Sequence, residues 1–323
     1  MVDDLLGALV SLAFHTAHST FSEPGDLAHH YTGLPSEPAQ LARIARDLLV
    51  HRLEGGIFGL THATDRLHND AETRYVDGIL RILVARDDAP LTRRREVGDR
   101  FVGVCRDFSL LLCSFLRHTG TPARIRSGFA DYFDGSGGSE GSGSFHGDHV
   151  VTEYWDERRG WLLADAQLAD PYVADHWKAD FDPMDVPRDR FLVAGRAWRA
   201  IREEGADPRT FGLHPPEDGP LWGERFVAGN IRLDLAALNK VETLLWDLWG
   251  EEANAWTEDA TDGDPPPMTD TARRVYDLAT RVTADDVDLD TARRLFAAED
   301  ELRTPETVLC LAPYNGPSRV TLR

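Results

Sequence analysis

The feature that most constrains the fold is a change of hydrophobic period near the middle of the chain. Residues 105–118 place apolar side chains such as Phe108 and Phe115 at helical spacing, and Gly120 ends the run. After that point apolar residues alternate with a period of two, which is typical of half-buried strands. Strands are predicted at 123–133, 149–155 and 161–166. The sequence therefore predicts an α+β fold in which one amphipathic helix packs on an antiparallel sheet.

Helical patterns flank this segment on both sides. They are predicted at 3–18, 37–54 and 72–85 before it, and at 221–250, 270–282 and 290–301 after it. Residues 168–220 are rich in Asp and Pro and predict an irregular connection. We expect an N-terminal helical region at 1–60, a core at 61–200 and a mainly helical C-terminal extension at 201–323.

A tract of glycine and serine interrupts the predicted sheet at residues 134–144. Such a composition does not hold one conformation unaided. One interpretation is a flexible surface insertion in a hairpin. The other is a mobile flap, because the tract ends five residues before His149.

Charge and cysteine content restrict the partners and the compartment. The net charge of −20 argues against nucleic acid and against anionic membranes as partners. The apolar run 8–14 is too short to span a bilayer, and the residues before it are acidic rather than basic. Three cysteines do not make a disulfide framework. We expect a cytoplasmic protein, and the sequence leaves the oligomeric state open.

Cys105 lies at the start of the predicted helix, in Gly-Val-Cys-Arg-Asp-Phe-Ser. A cysteine nucleophile must react as the thiolate, and the N–H groups and dipole of a helix N-terminus favour that form. Cys113 lies in the middle of the same helix, where no free N–H group is available, and is predicted to be structural. Cys310, in an apolar stretch near the C-terminus, receives the same interpretation.

His149 and Asp165 follow on two successive predicted strands joined by a short turn. If Trp155 pairs near Trp161 or Arg159, His149 lies opposite Gln167 or Asp165. Either register places the His149 and Asp165 side chains on one face of the sheet, within reach of a hydrogen bond. Thiol, imidazole and carboxylate thus occur in the order that a Cys-His-Asp acyl-transfer site requires.

These motifs resemble the transglutaminase-like superfamily over roughly residues 70–170. The resemblance rests on Gly-x-Cys-x-Asp-Phe, Gly-Thr-Pro-Ala-Arg, Asp-His followed by Glu-Tyr-Trp, and Trp161 leading to Asp165. It implies a papain-like core, the transglutaminase-like catalytic core, in the expected 61–200 region. It also implies that Cys105 is the nucleophile, His149 the general base and acid, and Asp165 the orienting carboxylate.

Two further roles depend on this resemblance. Asp107 matches a family position near the helix start, and we expect it to stabilise the first turn. Papain-like sites usually add a Gln or Trp upstream of the cysteine as an oxyanion donor, but residues 41–104 contain neither. The Cys105 N–H is one predicted donor. The second is unassigned, with Tyr75, Asn69 and His62 as candidates.

The sequence leaves three functions open. The first is a cysteine acyltransferase or amidase acting on an amide or thioester substrate, which is either free or bound to a carrier. The others are a peptidase or hydrolase of the same superfamily and a non-enzymatic binding module that retains the fold. No calcium-loop motif occurs, and we expect no cofactor. His146, Asp148 and His149 are too crowded for a regular metal ligand set, so we expect no metal.

Overall fold

We describe a computed structural model of residues 2–133, 145–213, 221–255, 268–284 and 287–323. The glycine and serine tract at 134–144, predicted as a surface insertion or a flap, lies outside the described residues. The helices are α1 (Val2–Thr16), α2 (Pro38–Leu48), α3 (Thr64–Asn69), α4 (Val76–Arg86), α5 (Cys105–His118), α6 (Pro171–His176), α7 (Ala194–Glu203), α8 (Glu224–Leu238), α9 (Gly250–Ala255), α10 (Asp270–Thr283) and α11 (Leu289–Ala298). Within this part of the chain, no helix combines the length and the hydropathy needed to cross a bilayer.

The strands are β1 (Leu49–His51), β2 (Phe101–Gly103), β3 (Ala123–Ala130), β4 (His146–Asp156), β5 (Gly160–Ala164), β6 (Phe191–Val193), β7 (Phe211–Gly212), β8 (Asp247–Leu248), β9 (Thr307–Ala312) and β10 (Gly316–Thr321). The largest sheet has the order β5-β4-β3-β6, with β7 beside β4. Its β4–β5 and β3–β6 pairs are antiparallel, and the two-residue β7 pairs with β4 in parallel. In the β4–β5 hairpin, Trp155 lies opposite Trp161, which is one of the two predicted registers.

Contacts divide the described chain into two compact units. The first comprises 1–125 and 151–187, and the second comprises 126–150 and 188–323. The three-part division expected from the sequence stays a prediction. Because β3 and β4 each continue across a unit boundary, residues close in sequence belong to different units.

The first unit is built around α5. Every residue of this helix from Cys105 to Arg117 is buried, and α5 contacts α1, α2 and α4. The Thr152 hydroxyl on β4 donates a hydrogen bond to the Ser109 carbonyl at 3.1 Å. The Cys-bearing helix therefore packs on the antiparallel sheet, which confirms the predicted α+β fold class.

The second unit has a largely helical core. Its buried cluster is formed by α7, α8, α10 and α11, with Trp198 and Tyr276 among its largest side chains. The buried Arg126 guanidinium joins β3 to this core, because its Nε and Nη2 each donate to Asp234 at 3.0 Å. Arg126 also donates to the Thr283 carbonyl at 2.6 Å.

The helix predicted at 37–54 is wrong beyond Leu48. Residues 49–51 leave α2 and pair in parallel with 101–103. The apolar run Leu48-Leu49-Val50 suits a helix or a buried strand equally well. A partner strand about fifty residues away decides between the two, and local periodicity does not contain that information.

Two further boundaries were also wrong. The helix predicted at 221–250 ends at Leu238, because Lys240 adopts a left-handed φ of 66°. Residues 247–248 instead form β8, which pairs with β9. The irregular connection predicted at 168–220 instead contains the regular elements α6, β6 and α7. The apolar residues of α7, at positions 194, 197, 198 and 201, have helical spacing.

The β9–β10 hairpin was not predicted, although its turn carries a strong local signal. Asn315-Gly316 is a dipeptide favoured in hairpin turns, and Gly316 adopts a φ of 75°. The strand β9 contains Cys310, which is almost fully buried.

Candidate active site

Cys105 is the first residue of α5, and the single residue Val104 separates it from β2. Val104 before it is extended, and Gly103 pairs with His51 of β1. A Cβ atom on Gly103 would approach Asp107 Oδ2 to 2.8 Å, so a larger residue here would have to displace the Asp107 side chain. The Cys105 residue is 5% exposed. Its N–H belongs to the first helical turn, whose donors have no acceptor within the helix.

Asp107 stabilises this turn, as the sequence predicted. Its Oδ2 accepts the Val104 backbone N–H at 2.9 Å, and its Oδ1 accepts Arg106 Nη1 at 3.0 Å. Burial raises the pKa of Asp107 to about 6, against the opposing effect of the Arg106 charge. Both carboxylate oxygens are therefore engaged in fixing the helix start, which indicates a structural role.

Asp165 directly follows β5 and caps the short turn of residues 166–168. Its Oδ1 accepts the Gln167 backbone N–H at 2.9 Å, and its own N–H donates to the Pro183 carbonyl at 2.7 Å. The residue is 2% exposed. The turn that it caps contacts α5, so Cys105 and Asp165 lie on neighbouring elements of the first unit.

His149 lies near the start of β4, in the part of that strand that belongs to the second unit. The residue is 2% exposed. Its ring is surrounded by the aromatic rings of Phe133, Tyr132 and Phe191, with centroids 4.7, 5.9 and 6.2 Å away. The hydrogen bond expected between His149 and Asp165 stays a prediction.

A buried network beside Asp165 was missed by the sequence reasoning. Gln167 Nε2 donates to Glu54 Oε1 at 3.0 Å, and Glu54 Oε2 accepts Arg46 Nη1 at 2.8 Å and the His51 N–H at 3.0 Å. The Arg46 side chain is fully buried, beside the rings of Phe58 and Phe108. The network thus connects α2 to the turn that Asp165 caps. The only sequence signal was the presence of charged residues in apolar surroundings.

The other residues named from the sequence are the two remaining cysteines and the three candidate oxyanion donors. Cys113 and Cys310 are buried and form no disulfide. Tyr75 precedes α4 and stacks on Phe21 at 5.0 Å, and Asn69 ends α3. Burial lowers the pKa of His62. The second oxyanion donor stays unassigned.

A metal site needs several ligand side chains placed around one point. Within the described ranges, no group of three or more His, Cys, Asp or Glu side chains is placed to hold a metal ion.

Comparison with known proteins identifies the domain. A family model described as the transglutaminase-like superfamily matches residues 87–166. Comparisons with curated proteins and with solved structures gave no match. The chain therefore contains a transglutaminase-like superfamily domain at 87–166, which confirms the resemblance stated from the motifs. Cys105, His149 and Asp165 all lie inside the matched range.

Proposed function

We propose that this protein is a cysteine-dependent acyltransferase or amidase that acts on an amide or a thioester. The observation that carries the proposal is the position of Cys105 as the first residue of α5, inside the matched superfamily domain. Members of this superfamily are usually cysteine enzymes. A thiol at a helix N-terminus is in the electrostatic environment that nucleophilic cysteines use.

The reaction would proceed in two steps. The Cys105 sulfur attacks the acyl carbon while a His149 ring nitrogen takes the thiol proton, and the Cys105 N–H donates to the developing oxyanion. The imidazolium then protonates the departing amine or thiol, which leaves a thioester on Cys105. Asp165 would accept the other ring N–H and so fix the tautomer of His149.

An amine or water completes the cycle. His149 accepts a proton from the incoming nucleophile, which attacks the thioester carbon, and the Cys105 thiol is released. We favour a small or carrier-bound acyl group over protein crosslinking. The acidic surface would repel an acidic carrier, so that variant requires a local basic patch. We further propose a cytoplasmic location without nucleic-acid or membrane partners.

Selective alkylation tests the nucleophile without a known substrate. The protein is treated at pH 6.5 with limiting iodoacetamide, and the labelled peptides are mapped by mass spectrometry. Cys105 should be labelled at least about tenfold faster than Cys113 and Cys310, because only Cys105 lies at a helix N-terminus. Preferential labelling of either other cysteine would remove the assignment.

Acyl-enzyme trapping tests the reaction class. The intact mass is measured after incubation with amide and thioester libraries, and the adduct is partitioned between water and hydroxylamine. Cys105→Ala should abolish the adduct. Asp165→Asn should preserve the fold and lower the acylation rate by about a hundredfold or more. Fast loss to water identifies a hydrolase, whereas transfer to hydroxylamine identifies a transferase.

One outcome would favour the binding module instead. If no donor acylates Cys105 while a non-covalent ligand binds equally well to the wild type and to Cys105→Ala, the fold is retained for recognition.

A further inference from the structure

A small cavity lies in the second unit, between α8 and residues 245–249. Its volume is about 30 Å³, and it is partly open to solvent. We call it the α8 cavity. Polar lining comes from Asp148, Asn230, Arg232 and Asp247, and the apolar lining includes Phe226 and Trp249. All of the residues that line the cavity belong to the second unit.

Two oxygen atoms at this cavity are buried without a hydrogen-bond donor among the described residues. They are Oδ1 of Asp148 and Oδ1 of Asn230. The Asn230 residue is 3% exposed, and its amide hydrogen-bonds to the Asp148 carboxylate. A buried acceptor that lacks a donor costs about 1–3 kcal/mol, so two neighbouring ones are unusual. Both oxygens belong to residues that line the same cavity, and each lacks a donor, which points to a ligand that donates hydrogen bonds.

The charges around the cavity favour a cation. Asp148 and Asp247 both line it, and Arg232 is the one basic side chain among the lining residues. The Arg232 guanidinium already donates to the Trp249 carbonyl and lies 3.3 Å from Glu301 Oε1. The Asp148 carboxyl is buried, and burial raises its pKa to about 6 against the opposing hydrogen bond from Asn230.

Size and lining distinguish an amine from a metal ion. Calcium takes six to eight oxygen ligands and magnesium requires an octahedral set, whereas this cavity combines two unpaired oxygens with aromatic and leucine side chains. A cavity needs about 10–15 Å³ to hold one water molecule, so this one holds a group of about two heavy atoms. A protonated primary amine has three N–H donors on a short apolar stem, and it gains further from nearby aromatic rings.

We propose that the α8 cavity binds the ammonium head of a small primary amine, with Asp148 and Asn230 as its hydrogen-bond acceptors. The site is independent of Cys105 and does not rest on the proposed acyl transfer.

The test measures thermal unfolding of the full chain in chloride salts at equal ionic strength. Methylammonium is compared with sodium, potassium and tetramethylammonium. Methylammonium should raise the unfolding midpoint above the other three, because a ligand that binds only the folded state stabilises it. Tetramethylammonium carries the same charge without N–H donors. Equal midpoints in all four salts, or potassium matching methylammonium, would overturn the proposal.

Variants then locate the effect. Asp148→Asn should weaken methylammonium binding at least tenfold, while the same change at the exposed Asp189 should leave it unaltered. If Asp148→Asn does not fold, Asn230→Ala removes the other acceptor. Cys105→Ala must retain the response, and its loss there would place the amine elsewhere. An unaltered response in both cavity variants would also overturn the proposal.

Discussion

Two buried carboxyl groups of this protein have the same raised pKa, about 6, but differ in what surrounds them. At the start of α5, both Asp107 oxygens accept hydrogen bonds from the protein. At the α8 cavity, Asp148 Oδ1 has no donor among the described residues. A raised pKa therefore reports burial alone. The hydrogen-bond partners separate a carboxylate that is engaged through both oxygens from one that keeps an unpaired oxygen.

Glu54 extends the comparison, because both of its oxygens are also engaged. We expect Glu54→Ala to lower the free energy of unfolding by about 4 kcal/mol, since it leaves the fully buried Arg46 without its counter-ion. Urea unfolding at pH 7.5 measures this loss. Glu157→Ala, at an exposed position, should change stability by less than about 0.5 kcal/mol. A similar small loss for Glu54→Ala would mean that Arg46 finds other acceptors.

Asp107→Asn should lower the free energy of unfolding by about 3 kcal/mol, again measured by urea unfolding. The amide NH₂ would face either the Val104 N–H or the Arg106 guanidinium, and both of these are donors. Asp175→Asn, an exposed change of the same type, is the control. If Asp107→Asn and Asp148→Asn proved equally costly, the contrast between the two carboxyl groups would fail.

Gln167→Met should lower the free energy of unfolding by about 2 kcal/mol, because Glu54 Oε1 loses its hydrogen-bond donor inside the protein. The backbone N–H that Asp165 accepts is retained in this variant. Urea unfolding gives the stability, and circular dichroism confirms the fold. A loss below about 0.5 kcal/mol would show that water replaces the amide.

Asp148→Asn should have the smallest effect, visible as a difference in pH dependence. The folded-state pKa of Asp148 lies above its ordinary 3.8, so the folded protein keeps a proton that the unfolded chain has released. The stabilisation from this proton is complete below the pKa that Asp148 has in the unfolded chain. It is lost as the pH rises through about 6, the pKa of Asp148 in the folded protein. Between pH 5.5 and 7.5 the wild type should lose about 1 kcal/mol relative to Asp148→Asn. Buffers without amines are required, and a constant difference would show that Asp148 does not titrate there.

The predictions from sequence succeeded where the determining contacts are local. Helix α5 has the predicted bounds, 105–118, because its apolar stripe and the stop at Gly120 are contained in the segment itself. The short turn between β4 and β5 left two registers open, and the observed pairing of Trp155 with Trp161 is one of them. The role of Asp107 in the first turn was implied by the family resemblance, and the groups that it accepts belong to its chain neighbours Val104 and Arg106. The three proposed catalytic residues were all named from motifs, although their mutual geometry stays a prediction.

Tertiary contacts decided the rest. Residues 49–51 became a strand through a partner at 101–103, and residues 247–248 through β9. The Glu54 network and the α8 cavity each join residues far apart in sequence, 54 with 167 and 148 with 230. Whether a buried polar atom is satisfied depends on the position of its neighbours, which periodicity does not encode. The sequence by itself thus determined the central helix, the sheet pattern and the candidate nucleophile, whereas only the folded chain showed which buried carboxylates are engaged.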